Sequence, residues 1–115
     1  MRRLAAAVAV LLAVSAPIGR ADAAGASCAR YSGLLAAAGL PVRTFQAIAW
    51  RETRCNPHAV SRSHDYGLLQ INRIHLRHGG AAAGYTAAQL LDPATNIAVA
   101  ARLYHRAGLR PWRVR

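Results

Sequence analysis

The chain has 115 residues, 54% of them hydrophobic, with 15 Arg, no Lys and four acidic residues, giving a net charge of +11 at pH 7. That length holds one small domain with a modest core. The positive excess favours a polyanionic neighbour, but the arginines are spread over every expected helix with no aromatic-interleaved basic motif, which argues against nucleic acid as the partner.

Residues 1–23 read as an address. Met1-Arg2-Arg3 is a basic start, Leu4 to Val14 is an unbroken apolar run, and Ala21-Asp22-Ala23 places small residues where a signal peptidase reads. The run covers 11 residues, too few to span a hydrocarbon core of ~30 Å. The expectation is a signal peptide over 1–23 and an exported domain over 24–115. Loss of Arg2, Arg3, Arg20 and Asp22 would leave 12 Arg against 3 acids, or +9.

Ala24 to Ala38 predicts a first helix, stopped by Gly39. Pro41 suits the first turn of a second helix over Val42–Thr53, which Asn56-Pro57 breaks. Here Phe45, Ile48 and Ala49 stand at i, i+3 and i+4, and Glu52 at i+7, so the carboxyl of Glu52 lies on the apolar stripe. The segment from Asn56 to Tyr66 turns polar and reads as a loop. Gly67 to Ile71 is a short apolar run, either a brief strand or an extended turn. Asn72 can cap a third helix reaching His78 before Gly79-Gly80, and Thr86 can cap a short helix to Leu91. Asp92-Pro93 starts the last helix, with Ala94, Ile97, Ala98, Ala101 and Tyr104 at helical spacing, and Gly108 ends it. Trp112, after Pro111, should fold back onto the domain.

Two cysteines remain after the leader, Cys28 and Cys55. In an oxidising compartment an even pair defaults to a disulfide, which would tie the N-terminal helix to the end of the helix bearing Glu52. A reactive Cys55 is the competing reading, but no Cys-His pattern surrounds it. His75 and His78 stand three apart on the expected third helix, close enough to share an ion. No further ligands gather there and Arg73 and Arg77 would repel a cation, so the expectation is no metal and no cofactor.

Three acids remain after processing, and Glu52 is the only Glu in the chain. Asp92 has a sufficient task as a cap. Glu52 and Asp65 are therefore the candidates for chemistry, since a carboxyl among apolar neighbours is either a burial cost or a proton donor.

Glu52-Thr53, Asn56-Pro57, Ala59, Ser61 and Gly67-Leu68-Leu69-Gln70 align without a gap to the pattern Glu-Ser, Asn-Pro, Ala, Ser, Gly-Leu-Met-Gln. The string resembles the signature of lytic transglycosylases of the soluble type, in the lysozyme-like superfamily. Asp65-Tyr66-Gly67-Leu68-Leu69-Gln70-Ile71-Asn72 is also similar to a block of C-type lysozymes, and Asp92 to Ile97 with Gly108 and Trp112 is similar to the closing helix of both. The resemblance covers roughly residues 29–112. It implies a mainly α, lysozyme-like domain with at most a short β element near residues 60–71.

The resemblance also implies a peptidoglycan-cleaving enzyme. Glu52 would act as general acid and then base at the β-1,4 bond between N-acetylmuramic acid and N-acetylglucosamine, leaving a 1,6-anhydro product. Asp65 stands in the aspartate place of the lysozyme block, where it would assist hydrolysis, or else it accepts backbone hydrogen bonds in a turn. Gln70 would contact sugar, Thr53 would orient Glu52, and Tyr66 and Tyr104 are aromatic candidates for the sugar cleft. The Ala-Tyr-Asn-Ala-Gly motif of many such enzymes is absent, and Tyr104 does not align with it. The expected partners are glycan strands and anionic wall polymers, with the protein a monomer held by no membrane after processing. The remaining alternatives are a lysozyme-type muramidase and a cationic wall-binding protein without catalysis.

Overall fold

The computed structural model describes residues 28–113. The expected leader and the first residues of the expected first helix lie outside that range. A 3-10 turn, Ala29–Tyr31, leads directly into α1 (Ser32–Ala37), and α2 comes next over Val42–Thr53. Gly39 takes a φ of 75°, the left-handed conformation that ends α1 without a Cβ penalty. Pro41 then sits in extended geometry as the residue before α2, so the chain turns sharply between the two helices.

Two short strands, β1 (Asp65–Tyr66) and β2 (Ile71–Asn72), pair antiparallel with Asp65 opposite Asn72 and Tyr66 opposite Ile71. The run Gly67–Gln70 is the turn between them. Asn72 does cap the next element, its side chain accepting from the Ile74 amide, but that element is a single 3-10 turn, Arg73–Leu76. It does not reach His78, because Gly79 at a φ of 77° and Gly80 turn the chain back. A Cβ on Gly80 would collide with the His75 carbonyl, so only glycine allows the approach. Arg102 and Arg106, reaching across from the last helix, donate to the carbonyls of Ala81 and Gly79, both at 3.3 Å, and hold this loop in place.

Thr86 and Gln89 satisfy each other across the turn that leads into a 3-10 element. The Thr86 hydroxyl accepts from the Gln89 amide at 3.2 Å, and the Gln89 side chain accepts from the Thr86 amide at 2.8 Å. This reciprocal cap starts Gln89–Leu91. Asp92 caps α3 (Pro93–Ala107), accepting from both the amide and the hydroxyl of Thr95 at 3.0 Å, with Pro93 in the first turn and Gly108 after the last. The final described element is a 3-10 turn, Arg110–Trp112. The fold is thus mainly α with one small hairpin, as a lysozyme-like domain requires.

The core gathers around Phe45 of α2, with α1 packed against both α2 and α3. Phe45 is fully buried, with the rings of Tyr104 and Trp112 edge-on at centroid distances of 5.4 Å and 5.1 Å. Leu35, Leu68, Leu69, Ile71, Leu90, Ile97 and Val99 complete the same cluster. Trp112 therefore does fold back, and its position fixes the C-terminal turn. Cys28 and Cys55 are bonded to each other, joining the start of the described chain to the end of α2.

Candidate active site

Glu52 lies in the last turn of α2, its side chain 15% exposed. The helix ends one residue later, at Thr53, by an unusual route. Arg54 and Cys55 both take positive φ, 54° and 62°, and their amides donate to Trp50 and Ala49. Neither residue is glycine, so each costs about 1–2 kcal/mol of backbone energy. Three contacts hold the pair there: the disulfide at Cys55, the Arg30 guanidinium on the Cys55 carbonyl at 3.0 Å, and the Arg54 guanidinium 4.7 Å from the Trp50 ring centre. Pro57, expected to break the helix, lies beyond a stop already made.

The turn between β1 and β2 is built on one side chain that sequence reasoning passed over. Asn96 of α3 is completely buried. Its amide nitrogen donates to the carbonyls of Tyr66 and Leu90, both at 2.8 Å, and its oxygen accepts from the Leu69 amide at 2.9 Å. Gly67, at a φ of 74°, passes so close that an added Cβ would run into Leu90 and Asn96. The only signal in the sequence was an amide placed beside the apolar stripe of the last helix.

Thr53 ties the two halves together. Its hydroxyl lies 3.0 Å from the Leu68 carbonyl and 3.1 Å from the Ala49 carbonyl, and it can donate to either. The bond to Leu68 links the end of α2 to the hairpin turn, and the hydroxyl is directed at these carbonyls instead of at Glu52.

Asp65 is 2% exposed, and both of its oxygens are engaged. Ser61 and Ser63 donate to one at 2.7 and 2.6 Å, and Asn72 donates to the other at 3.0 Å. The backbone amide of Asp65 returns a bond to the Ser61 hydroxyl. Ser61 and Ser63, four and two residues before the acid, were the readable trace of this cluster.

Beside these residues is an open cleft of about 530 Å³. One wall carries Ser63, Asp65, Gln70, Ile71, Asn72 and His75, from the hairpin, the loop before it and the turn after it. The other carries Leu103 of α3 and Arg110, Pro111 and Trp112 of the C-terminal turn. Polar groups face a mostly apolar wall, an arrangement suited to a sugar, which offers hydroxyls at its edge and C–H groups on its faces. Gln70 is left-handed at a φ of 52° and 6% exposed, with its amide nitrogen donating to Gly67 at 3.0 Å and Ala59 at 3.3 Å. The four non-glycine residues with positive φ among the described residues are Arg54, Cys55, His64 and Gln70. Two come directly after the Glu52 turn, one precedes Asp65 and one is in the cleft wall.

The structure thus brings Asp65 and Gln70 together in the cleft, leaves Glu52, Thr53 and Tyr66 outside its lining, and packs the half-buried Tyr104 against Phe45. Tyr66 is half-buried in β1, with the ring of His64 at 6.5 Å. Glu52 connects to the cleft through Arg51. One nitrogen of its guanidinium donates to the Glu52 carboxyl at 3.1 Å and also to the backbone carbonyl of Trp112. Trp112 in turn donates from its indole to the Leu69 carbonyl at 2.9 Å. The role of the C-terminal turn as a cleft wall was not foreseen; the sequence signalled only that Trp112 would be buried.

A family model described as the transglycosylase SLT domain matches residues 34–108. The match runs from α1 through α3 and includes Glu52, Asp65, Gln70 and Asn96. No curated protein matches the chain.

Proposed function

This chain belongs to the transglycosylase SLT domain family, which acts on peptidoglycan, and from that premise we propose that it is an exported lytic transglycosylase with Glu52 as its acid and base. The observation that carries the reading is the setting of Glu52. It is the only Glu in the chain, largely buried at a helix end, and linked through Arg51 to a residue that lines the cleft.

In the proposed cycle the protonated Glu52 gives its proton to the oxygen between N-acetylmuramic acid and N-acetylglucosamine, and the bond from that oxygen to the muramic-acid C1 breaks. Positive charge develops at C1. The Glu52 carboxylate then takes the proton of the C6 hydroxyl, and O6 closes onto C1 as a 1,6-anhydro ring. The carboxylic acid is restored and no water is consumed.

Gln70 is proposed to contact sugar from the cleft wall, and Tyr66 from β1 of the same hairpin. The bonds of Thr53 to backbone carbonyls and the packing of Tyr104 on Phe45 support structural tasks for those two. Asp65 has hydrogen bonds on both oxygens, which supports a role in shaping the hairpin more than an attack on C1. Its place in the cleft lining favours a second reading, lysozyme-type hydrolysis. Export through residues 1–23 is supported by the disulfide, since such bonds persist in oxidising compartments. No helix among the described residues is long and apolar enough to cross a membrane.

Digestion of purified peptidoglycan with mass spectrometry of the products tests the proposal. Anhydro-muropeptides are the expected product, whereas reducing ends would identify hydrolysis. Glu52→Gln should lose at least about 100-fold in rate, the low end for a general acid. A Glu52→Gln protein as active as the parent would remove the basis of the reading.

A further inference from the structure

We propose that Arg51 is a positioning residue that fixes the Glu52 carboxyl relative to the cleft wall. The inference rests on Glu52 being the acid. Neighbouring residues of an α-helix point about 100° apart and do not face each other, so an Arg-Glu pair at i and i+1 is not a product of helix geometry. It forms here because the guanidinium is held elsewhere.

The terminal nitrogen Nη2 has two hydrogens. One serves Glu52 Oε1 at 3.1 Å and the other serves the carbonyl of Trp112, 61 residues away. Trp112 is itself fixed, 2% exposed, edge-on to Phe45 and bonded through its indole to Leu69. Its other neighbours in the C-terminal turn, Arg110 and Pro111, line the cleft with it. Glu52 is not itself among the residues lining the cleft, and its carboxyl is tethered to the backbone of that wall by two hydrogen bonds from one atom. Once Glu52 has given up its proton, the guanidinium stands beside the carboxylate that remains.

The Arg51 side chain is 56% exposed, and an exposed ion pair contributes little to stability. Its effect belongs in the rate. The competing role is a cation near the C-terminus of α2 that merely offsets the helix dipole, worth a few tenths of a kcal/mol and insensitive to where the charge is aimed.

Steady-state kinetics on soluble glycan strands, with urea unfolding of the same proteins, separates the two. Arg51→Gln is expected to lower kcat by about 10-fold or more, as small misplacements of a reacting group do, with KM and the unfolding midpoint close to the parent's. Arg51→Lys, which restores a charged donor, is expected to recover part of that loss. A parent-like kcat in Arg51→Gln overturns the inference, and so does a fall in kcat matched by a lower unfolding midpoint. If Glu52→Gln is inactive while Arg51→Gln is parent-like, only the positioning role falls. If Glu52→Gln is active, the proposed function falls with it.

Discussion

Replacing Asn96 with alanine removes three hydrogen bonds from the centre of the domain and leaves their partners without replacement. The Leu69 amide and the Leu90 carbonyl belong to fully buried residues, and the Tyr66 carbonyl is partly buried. A buried group stranded in this way costs about 1–3 kcal/mol, so the two buried partners alone account for about 2–6 kcal/mol before any cavity is counted. A domain of this size is stable by roughly 5–15 kcal/mol, and each kcal/mol lowers Tm by about 4–8 °C. Asn96→Ala should therefore melt at least about 8 °C below the parent. Asn96→Asp should fare no better, because it keeps an acceptor for Leu69 but sets a second oxygen against two carbonyls. Thermal and urea unfolding monitored by far-UV circular dichroism measures both. A loss under about 1 kcal/mol in Asn96→Ala would refute the claim that this amide holds the hairpin turn.

Replacing Cys28 and Cys55 together by alanine should lower stability by about 3–4 kcal/mol in the chain-entropy description of a loop with a sequence separation of 27, read from urea unfolding. Asp65→Asn should still release anhydro-muropeptides, with a rate loss well short of that in Glu52→Gln. Mass spectrometry of the digest checks it, and equal loss in the two variants would speak for a catalytic Asp65.

The helices were legible where local chemistry decides them. Val42–Thr53 is dictated by Pro41 and the apolar spacing of Phe45, Ile48 and Ala49, and Pro93–Ala107 by the Asp92 cap and Gly108. The cysteine pairing was legible for a similar reason, since two cysteines leave one choice. The segment after Asn72 was overextended. Its apolar residues suit a helix, but the backbone from His75 to Gly80 is fixed by a close approach that only the packed molecule reveals. The end of α2 was misattributed to Pro57 because left-handed Arg54 and Cys55 are held by distant partners. In the site, Glu52, Asp65 and Gln70 stood out by residue type and spacing. Asn96 and Arg51 did not, because their importance lies in the carbonyls and amide they reach, all but one of them 27 to 61 residues away in the chain. Backbone partners have no signature in a sequence.

The four left-handed residues at Arg54, Cys55, His64 and Gln70 together store several kcal/mol that glycine or asparagine would release. A sturdier protein is thus open to simple substitution at Arg54, His64 and Gln70, of which Gln70 lines the groove and His64 stands between two residues that do. Thermostability screens that accept glycine at such positions would be expected to relax the scaffold and blunt the enzyme at once, whereas screens confined to the outward face of α3 would leave that tension in the backbone intact.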